Sequence, residues 1–90
     1  MATIAVIGTM DSKGAEHAFV ADRIREAGHR AMVVDVGTLG VAQVAVDVPR
    51  EEVLAAAGLC LPAAEDRGER VGVMARALPV FLEKMAVEGR

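Results

Sequence analysis

Two short apolar runs, with a helix-length segment between them, constrain this chain more than any other feature. Residues 4–7, Ile-Ala-Val-Ile, are continuous and β-branched and close on Gly8; residues 31–36, Ala-Met-Val-Val-Asp-Val, close on Gly37 and Gly40. An apolar run without polar alternation reads as a strand covered on both faces. Between the runs, over residues 14–27, the period lengthens. Val20, Ile24 and Ala27 share one helical face beside Phe19, while Glu16, Asp22, Arg23, Arg25 and Glu26 can reach solvent. Gly28 stands where a helix takes a left-handed residue just past its end. Strand, helix and strand within about thirty residues make a βαβ unit with parallel strands and a right-handed crossover.

Residues 41–48 alternate loosely and run into Pro49, which reads as an excursion rather than a central strand. Pro49 suits a first helical turn, and Glu51 and Glu52 favour its positive end. A short helix over 49–57, stopped by Gly58, is expected. Residues 59–67 read as a loop, and the run Glu65, Asp66, Arg67, Glu69, Arg70 as a solvated helix start. Val71, Met74, Leu78, Phe81, Leu82 and Met85 mark a helical stripe over 68–88. Pro79 lies inside it, removes one backbone hydrogen bond and is expected to bend or split the helix. Two strands leave a parallel sheet unfinished. Either these residues open a longer α/β protein, or another copy or a partner completes the sheet.

With 90 residues, 53% hydrophobic and 26% charged, there is apolar material for one core and no length for a second domain. Phe19 and Phe81 are the only aromatic residues, and the net charge is −3, so neither base stacking nor phosphate attraction favours a nucleic-acid polymer as partner. The first apolar run lacks a basic lead and is too short for a signal peptide or a membrane span, which points to a cytoplasmic protein with no membrane partner. Cys60, the single cysteine, sits in Ala-Gly-Leu-Cys-Leu-Pro and is expected to be buried as a small hydrophobe.

The segment joining the first strand to the first helix, Gly8-Thr9-Met10-Asp11-Ser12-Lys13-Gly14, holds the first candidate site. In an open α/β sheet, ligands sit at the carboxyl ends of strands beside helix N-termini. Thr9 and Ser12 offer hydroxyls, Lys13 a cation for phosphate, and Gly8 and Gly14 close backbone approach. Neither standard phosphate motif is matched, since Met10 and the order Lys13-Gly14 break both patterns. The alternative is that Asp11 or Ser12 caps the helix and Lys13 is solvated. Asp35, a lone carboxylate ending the second run, is placed to accept from ribose hydroxyls, or else to close an Asx turn before Gly37. His17 and His29 have no third ligand spaced to join them and read as solvent-facing or capping. No nucleophile stands at recognisable spacing from a base, so no catalytic residue is assigned.

Ile-Gly-Thr-Met-Asp-Ser-Lys-Gly at 7–14, followed by Val-Val-Asp-Val-Gly at 33–37, resembles the N-terminal ATP-binding domain family of the tomato mosaic virus resistance protein, which has many bacterial members. The likeness continues through residues 50–58, 66–68 and 74–76, and so spans nearly the whole chain. Ser12 stands where that family usually has Thr, Pro49 replaces an expected Ser cap, and Pro79 is a further departure. The resemblance implies a Rossmann-like α/β domain, here its N-terminal βαβ-α-α portion, in which Asp11 and Asp35 touch ATP. Asp35 then faces ribose. Asp11 contacts ribose or base, binds magnesium through water, or orders the loop, and Lys13 is left to phosphate. The competing class is a non-catalytic interaction or scaffold module, and the partners implied are a nucleotide together with a second copy or the rest of a longer chain.

Overall fold

The two β-branched runs pair side by side. In the computed structural model, which describes residues 2–62 and 67–89, β1 (Thr3–Gly8) lies parallel to β2 (Arg30–Asp35), from Thr3 opposite Arg30 to Gly8 opposite Asp35. Helices α1 (Gly14–Glu26), α2 (Arg50–Ala56) and α3 (Arg67–Glu88) complete the order β1-α1-β2-α2-α3, a partial Rossmann-like α/β arrangement. No helix among the described residues is long and apolar enough to cross a membrane.

Alternation along β2 divides the core in two. Ala31 and Val33 turn to one face and pack with Val6, Met10 and Ala21, while Val34 turns to the other and packs with Val53, Leu54, Val73, Met74, Ala77, Phe81 and Met85. Helices thus cover both faces, which is why the β2 run is apolar at nearly every position.

The inward sectors of two helices differ from those expected. On α1 the buried residues are Gly14 and Ala21, whereas Val20 is 47% exposed and Phe19 lies on the surface under the Arg23 guanidinium, 5.1 Å from the ring centre. Small residues let α1 come close to the sheet, and the larger side chains are left at its margins. On α3, Val73 and Ala77 join Met74, Phe81 and Met85 in the core, while Val71 and Leu82 stay exposed. The cause is α2. Lys84 Nζ donates to the Ala56 carbonyl at 2.6 Å, so the buried sector is rotated toward that neighbour. Helix α3 runs unbroken through Pro79, which lies on its exposed side.

Three further expectations are corrected or refined. Cys60 is exposed, because Leu59 and Leu61 on either side pack against the core and alternation turns Cys60 outward. Arg70 is not solvated; its Nε and Nη1 donate to the Thr38 and Pro62 carbonyls at 2.5 Å each. Glu65 and Asp66 lie outside the described residues. The excursion ends in a single parallel bridge, Val48 beside Val34, on the outer edge of β2. There the Val33 carbonyl accepts from the Asp47 and Val48 N–H groups, and the Asp47 carboxylate accepts the Val33 N–H at 2.7 Å.

Candidate functional site

Because Gly8 lies opposite Asp35, the chain leaves both strands at the same end, and the loops that follow them meet. Met10 is fully buried and draws the first loop inward, so that its N–H donates to Asp35 Oδ1 at 3.2 Å. The same oxygen accepts the Gly37 N–H at 2.8 Å, which is the Asx turn. Arg50 Nε and Nη2 donate to Asp35 Oδ2 at 3.3 and 3.2 Å. Four donors therefore occupy the roughly four lone-pair sites of a carboxylate that is 2% exposed. A charge buried to this degree persists only when paired and hydrogen-bonded in this way.

Asp11 reaches across to the second loop. Its Oδ2 accepts the Leu39 N–H at 3.1 Å and lies 4.0 Å from Arg50 Nη2. A Cβ on Gly37 would come within 2.6 Å of Asp11 Oδ1 and 3.0 Å of Arg50 Nη2, so the crossing requires glycine there. Segment 37–40 is thus held by four charged side chains from four places in the chain: Asp11, Asp35, Arg50 and Arg70. Sequence reasoning singled out the two acids and missed both arginines. One signal was present for Arg50, a cation in the first turn of a helix, where the positive helix end disfavours it unless a carboxylate stands opposite.

The alternative reading of Asp11 or Ser12 as the cap of α1 is not met. Lys13 occupies the cap position without a side-chain cap bond, Asp11 is committed to Leu39, and Ser12 Oγ pairs with Thr9 Oγ1 at 3.1 Å. The Thr9 carbonyl accepts the Ser12 and Lys13 N–H groups, which tightens the loop into α1. Thr9, Ser12 and Lys13 are all exposed.

His17 is half-buried rather than solvent-facing. Its Nδ1 donates to the Lys13 carbonyl at 2.7 Å, and its ring lies across Gly8, where a Cβ would stand 2.0 Å from Nε2. The space that Gly8 opens at the strand end is therefore filled by this imidazole. Gly8→Ala is expected to cost about 1–3 kcal/mol in urea unfolding, since the ring must leave its place. His17→Ala in the same chain should recover most of that loss, and equal costs with and without the ring would refute the clash. His29 lies elsewhere, accepting the Ala2 N–H on Nδ1 at 3.0 Å. Among the described residues, no group of three or more His, Cys, Asp or Glu could hold a metal ion. Beside Arg50, a shallow depression of about 250 Å³ is lined by Asp35, Gly40, Ala42, Val46 and Pro49.

Residues 2–90 match the N-terminal domain of an uncharacterised protein family, UPF0261. A UPF0261 protein of Clostridium tetani is 30% identical over 88 residues, which cover 94% of this chain and 22% of the relative. Another, from Rhizobium meliloti, is 36% identical over 85 residues, 91% of this chain and 21% of its own length. The chain thus spans about a fifth of the length of the curated relatives it matches. No solved structure matches it.

Proposed function

This chain belongs to the UPF0261 family, as its N-terminal domain, and on that premise we propose that it is the opening part of an α/β domain that binds ATP. The observation that carries this reading is the meeting of two glycine-bounded loops at the carboxyl ends of two parallel strands, where open α/β sheets take their ligands. ATP itself enters through the sequence resemblance.

Lys13, with the Thr9 and Ser12 hydroxyls, supplies exposed donors for phosphate at the start of a helix without a side-chain cap. Asp35 acts by holding the Met10 and Gly37 N–H groups in place, because its lone pairs are already taken. Among the described residues Asp11 accepts one hydrogen bond, from the Leu39 N–H, and so is the better acceptor for a ribose hydroxyl or for hydrated magnesium. Ligand pockets usually span about 300–1,000 Å³, so a depression of about 250 Å³ supplies one side of such a site and leaves the remainder to the longer family polypeptide. The second reading, a non-catalytic interaction module completed by a partner or second copy, is favoured by a different feature, the edge of β1 on which no strand pairs among the described residues.

Calorimetric titration of ATP into the full-length protein tests the site. Asp11→Ala and Lys13→Ala are each expected to weaken binding by about tenfold to a hundredfold, the equivalent of one charge-assisted hydrogen bond. Asp35→Asn should show its main effect in melting temperature. Unchanged affinity in folded Asp11→Ala and Lys13→Ala variants would sink the assignment.

A further inference from the structure

We infer that the polypeptide following residue 90 in the full-length protein adds a third, parallel strand to the far edge of β1, and that the loop leaving this strand walls the candidate site beside residues 8–13. Residues 2–90 match the N-terminal domain of the family and 21–22% of the length of the two curated relatives, so in those relatives there is chain to supply the strand. The face on which each helix lies decides where it goes. Crossovers between parallel strands are right-handed, because a right-twisted strand feeding a right-handed helix packs back on the sheet only that way. Helix α1 carries the chain from β1 to β2 on the face of Val6, Ala31 and Val33. Helices α2 and α3 carry it onward from β2 on the opposite face, with Val34. A crossover of the same hand on the opposite face must step in the opposite direction. From β2 that step leads back across β1, and the first position it reaches is the far edge of β1. Had α3 packed beside α1, the same rule would extend the sheet beyond β2.

The two edges of the sheet agree with this direction. The outer edge of β2 is closed by the Asp47 carboxylate, by the Val48 bridge and then by Pro49. Such devices keep an edge from pairing further. The β1 sequence, Thr-Ile-Ala-Val-Ile-Gly, carries no charge and no proline. The Arg30 N–H donates to the Ala2 carbonyl and the Val36 N–H to the Gly8 carbonyl, at 2.8 and 2.9 Å. In a parallel ladder this turns the backbone groups of Thr3, Ala5 and Ile7 away from β2. Among the described residues no strand pairs with them.

Helix α3 delivers the chain to the end of the sheet where a parallel strand must begin. Near its start, Arg70 donates to the Thr38 carbonyl, just past the carboxyl end of β2. At its finish, Gly89 borders a depression of about 370 Å³ together with Thr3 and Arg30, the first residues of β1 and β2. Gly89 has a φ of 76° and closes the helix with a left-handed residue. A strand entered from here after a short connection runs in the same direction as β1.

The consequence for the site follows from strand order. With β2 on one side of β1 and the third strand on the other, the order reverses at β1, and open α/β sheets take their ligands at such a reversal. Toward β2 the space above β1 is already crossed by Asp11, which reaches the Leu39 N–H and lies beside Arg50. The exposed Thr9, Ser12 and Lys13 are therefore met from the other side, by the loop leaving the third strand. Only the identity of the ligand rests on the reading of an ATP site; the strand order stands on the handedness of the chain.

Disulfide trapping in the full-length protein tests the inference. In a background without other cysteines, Cys60→Ser included, Thr3→Cys or Ile7→Cys is combined with single cysteines at the ~12 positions after Arg90. Thr3 and Ile7 share one face of β1, so each can bond only to a residue close beside it on a neighbouring strand. An intramolecular bond is expected from each, with the partner of Ile7→Cys later in the chain than the partner of Thr3→Cys, as parallel pairing requires. The reverse order, a bond between two copies, or no bond from either cysteine would overturn the inference. Amide exchange on the unsubstituted protein guards against variants that distort the strand. Ala5 and Ile7 should exchange as slowly as Ile4 and Val6, whose amides face β2, and exchange at least ~100-fold faster would overturn the inference as well. Neither measurement involves ATP, so each is decisive whether or not the titration finds an ATP site.

Discussion

Arg50→Ala is expected to cost about 3–5 kcal/mol, because it leaves the Asp35 carboxylate buried without its cation. The whole stability of a chain of this length is of order 5–13 kcal/mol, so the variant should be partly unfolded in mild urea. The guanidinium is 11% exposed, which admits some water and places the loss toward the lower end of the range. Two other links fail with it. The Leu39 carbonyl loses a donor, and Asp11 loses its nearby cation. Amide exchange should therefore quicken first at Gly37 and Leu39, whose N–H groups the two acids hold. Asp35→Asn combined with Arg50→Ala should be less damaging than Arg50→Ala alone, since no buried charge is then stranded. Urea midpoints for the three variants decide this, and a loss under about 1 kcal/mol for Arg50→Ala would show that the cluster is solvated and contributes little.

Phe81→Ala should cost a similar amount, about 3–5 kcal/mol, by a different mechanism. Phe81 is 3% exposed and packs in the cluster that joins Val34 of the sheet to Val53 and Leu54 of α2 and Met74, Ala77 and Met85 of α3. It is the single aromatic side chain in the core, so no neighbouring ring can fill the cavity. Phe81→Leu, which keeps much of the volume, should cost clearly less. Phe19→Ala supplies the control. At 62% exposure, with one cation resting on its ring, it should change stability by under about 1 kcal/mol. Thermal unfolding of the three variants separates them, and equal costs for Phe81→Ala and Phe19→Ala would refute the assigned core.

Local pattern alone located the βαβ unit, the short helix after Pro49 and the long helical stripe over 68–88, though not that the helix is unsplit at Pro79, because the two-residue period of a strand and the 3.6-residue period of a helix are written in adjacent residues. It also singled out Asp35, the lone acid ending an otherwise apolar run, whereas Asp11 entered as an alternative helix cap and, through the family resemblance, as a nucleotide contact. The inward sectors of α1 and α3 were not legible. Both helices carry more apolar positions than one face can bury, and the choice of Ala21 over Val20, or of Val73 and Ala77 over Val71 and Leu82, depends on where the sheet and α2 lie. Cys60 went the same way, its exposure set by neighbours that dock on the core. The site needed tertiary structure most. Parallel register places Gly8 beside Asp35, and only that placement lets Arg50, fifteen residues from Asp35, reach its carboxylate and lets Asp11 cross twenty-eight residues of chain to the Leu39 N–H. Periodicity carries no information about such contacts, because they join segments whose separation along the chain is bridged by the fold and not by any local repeat.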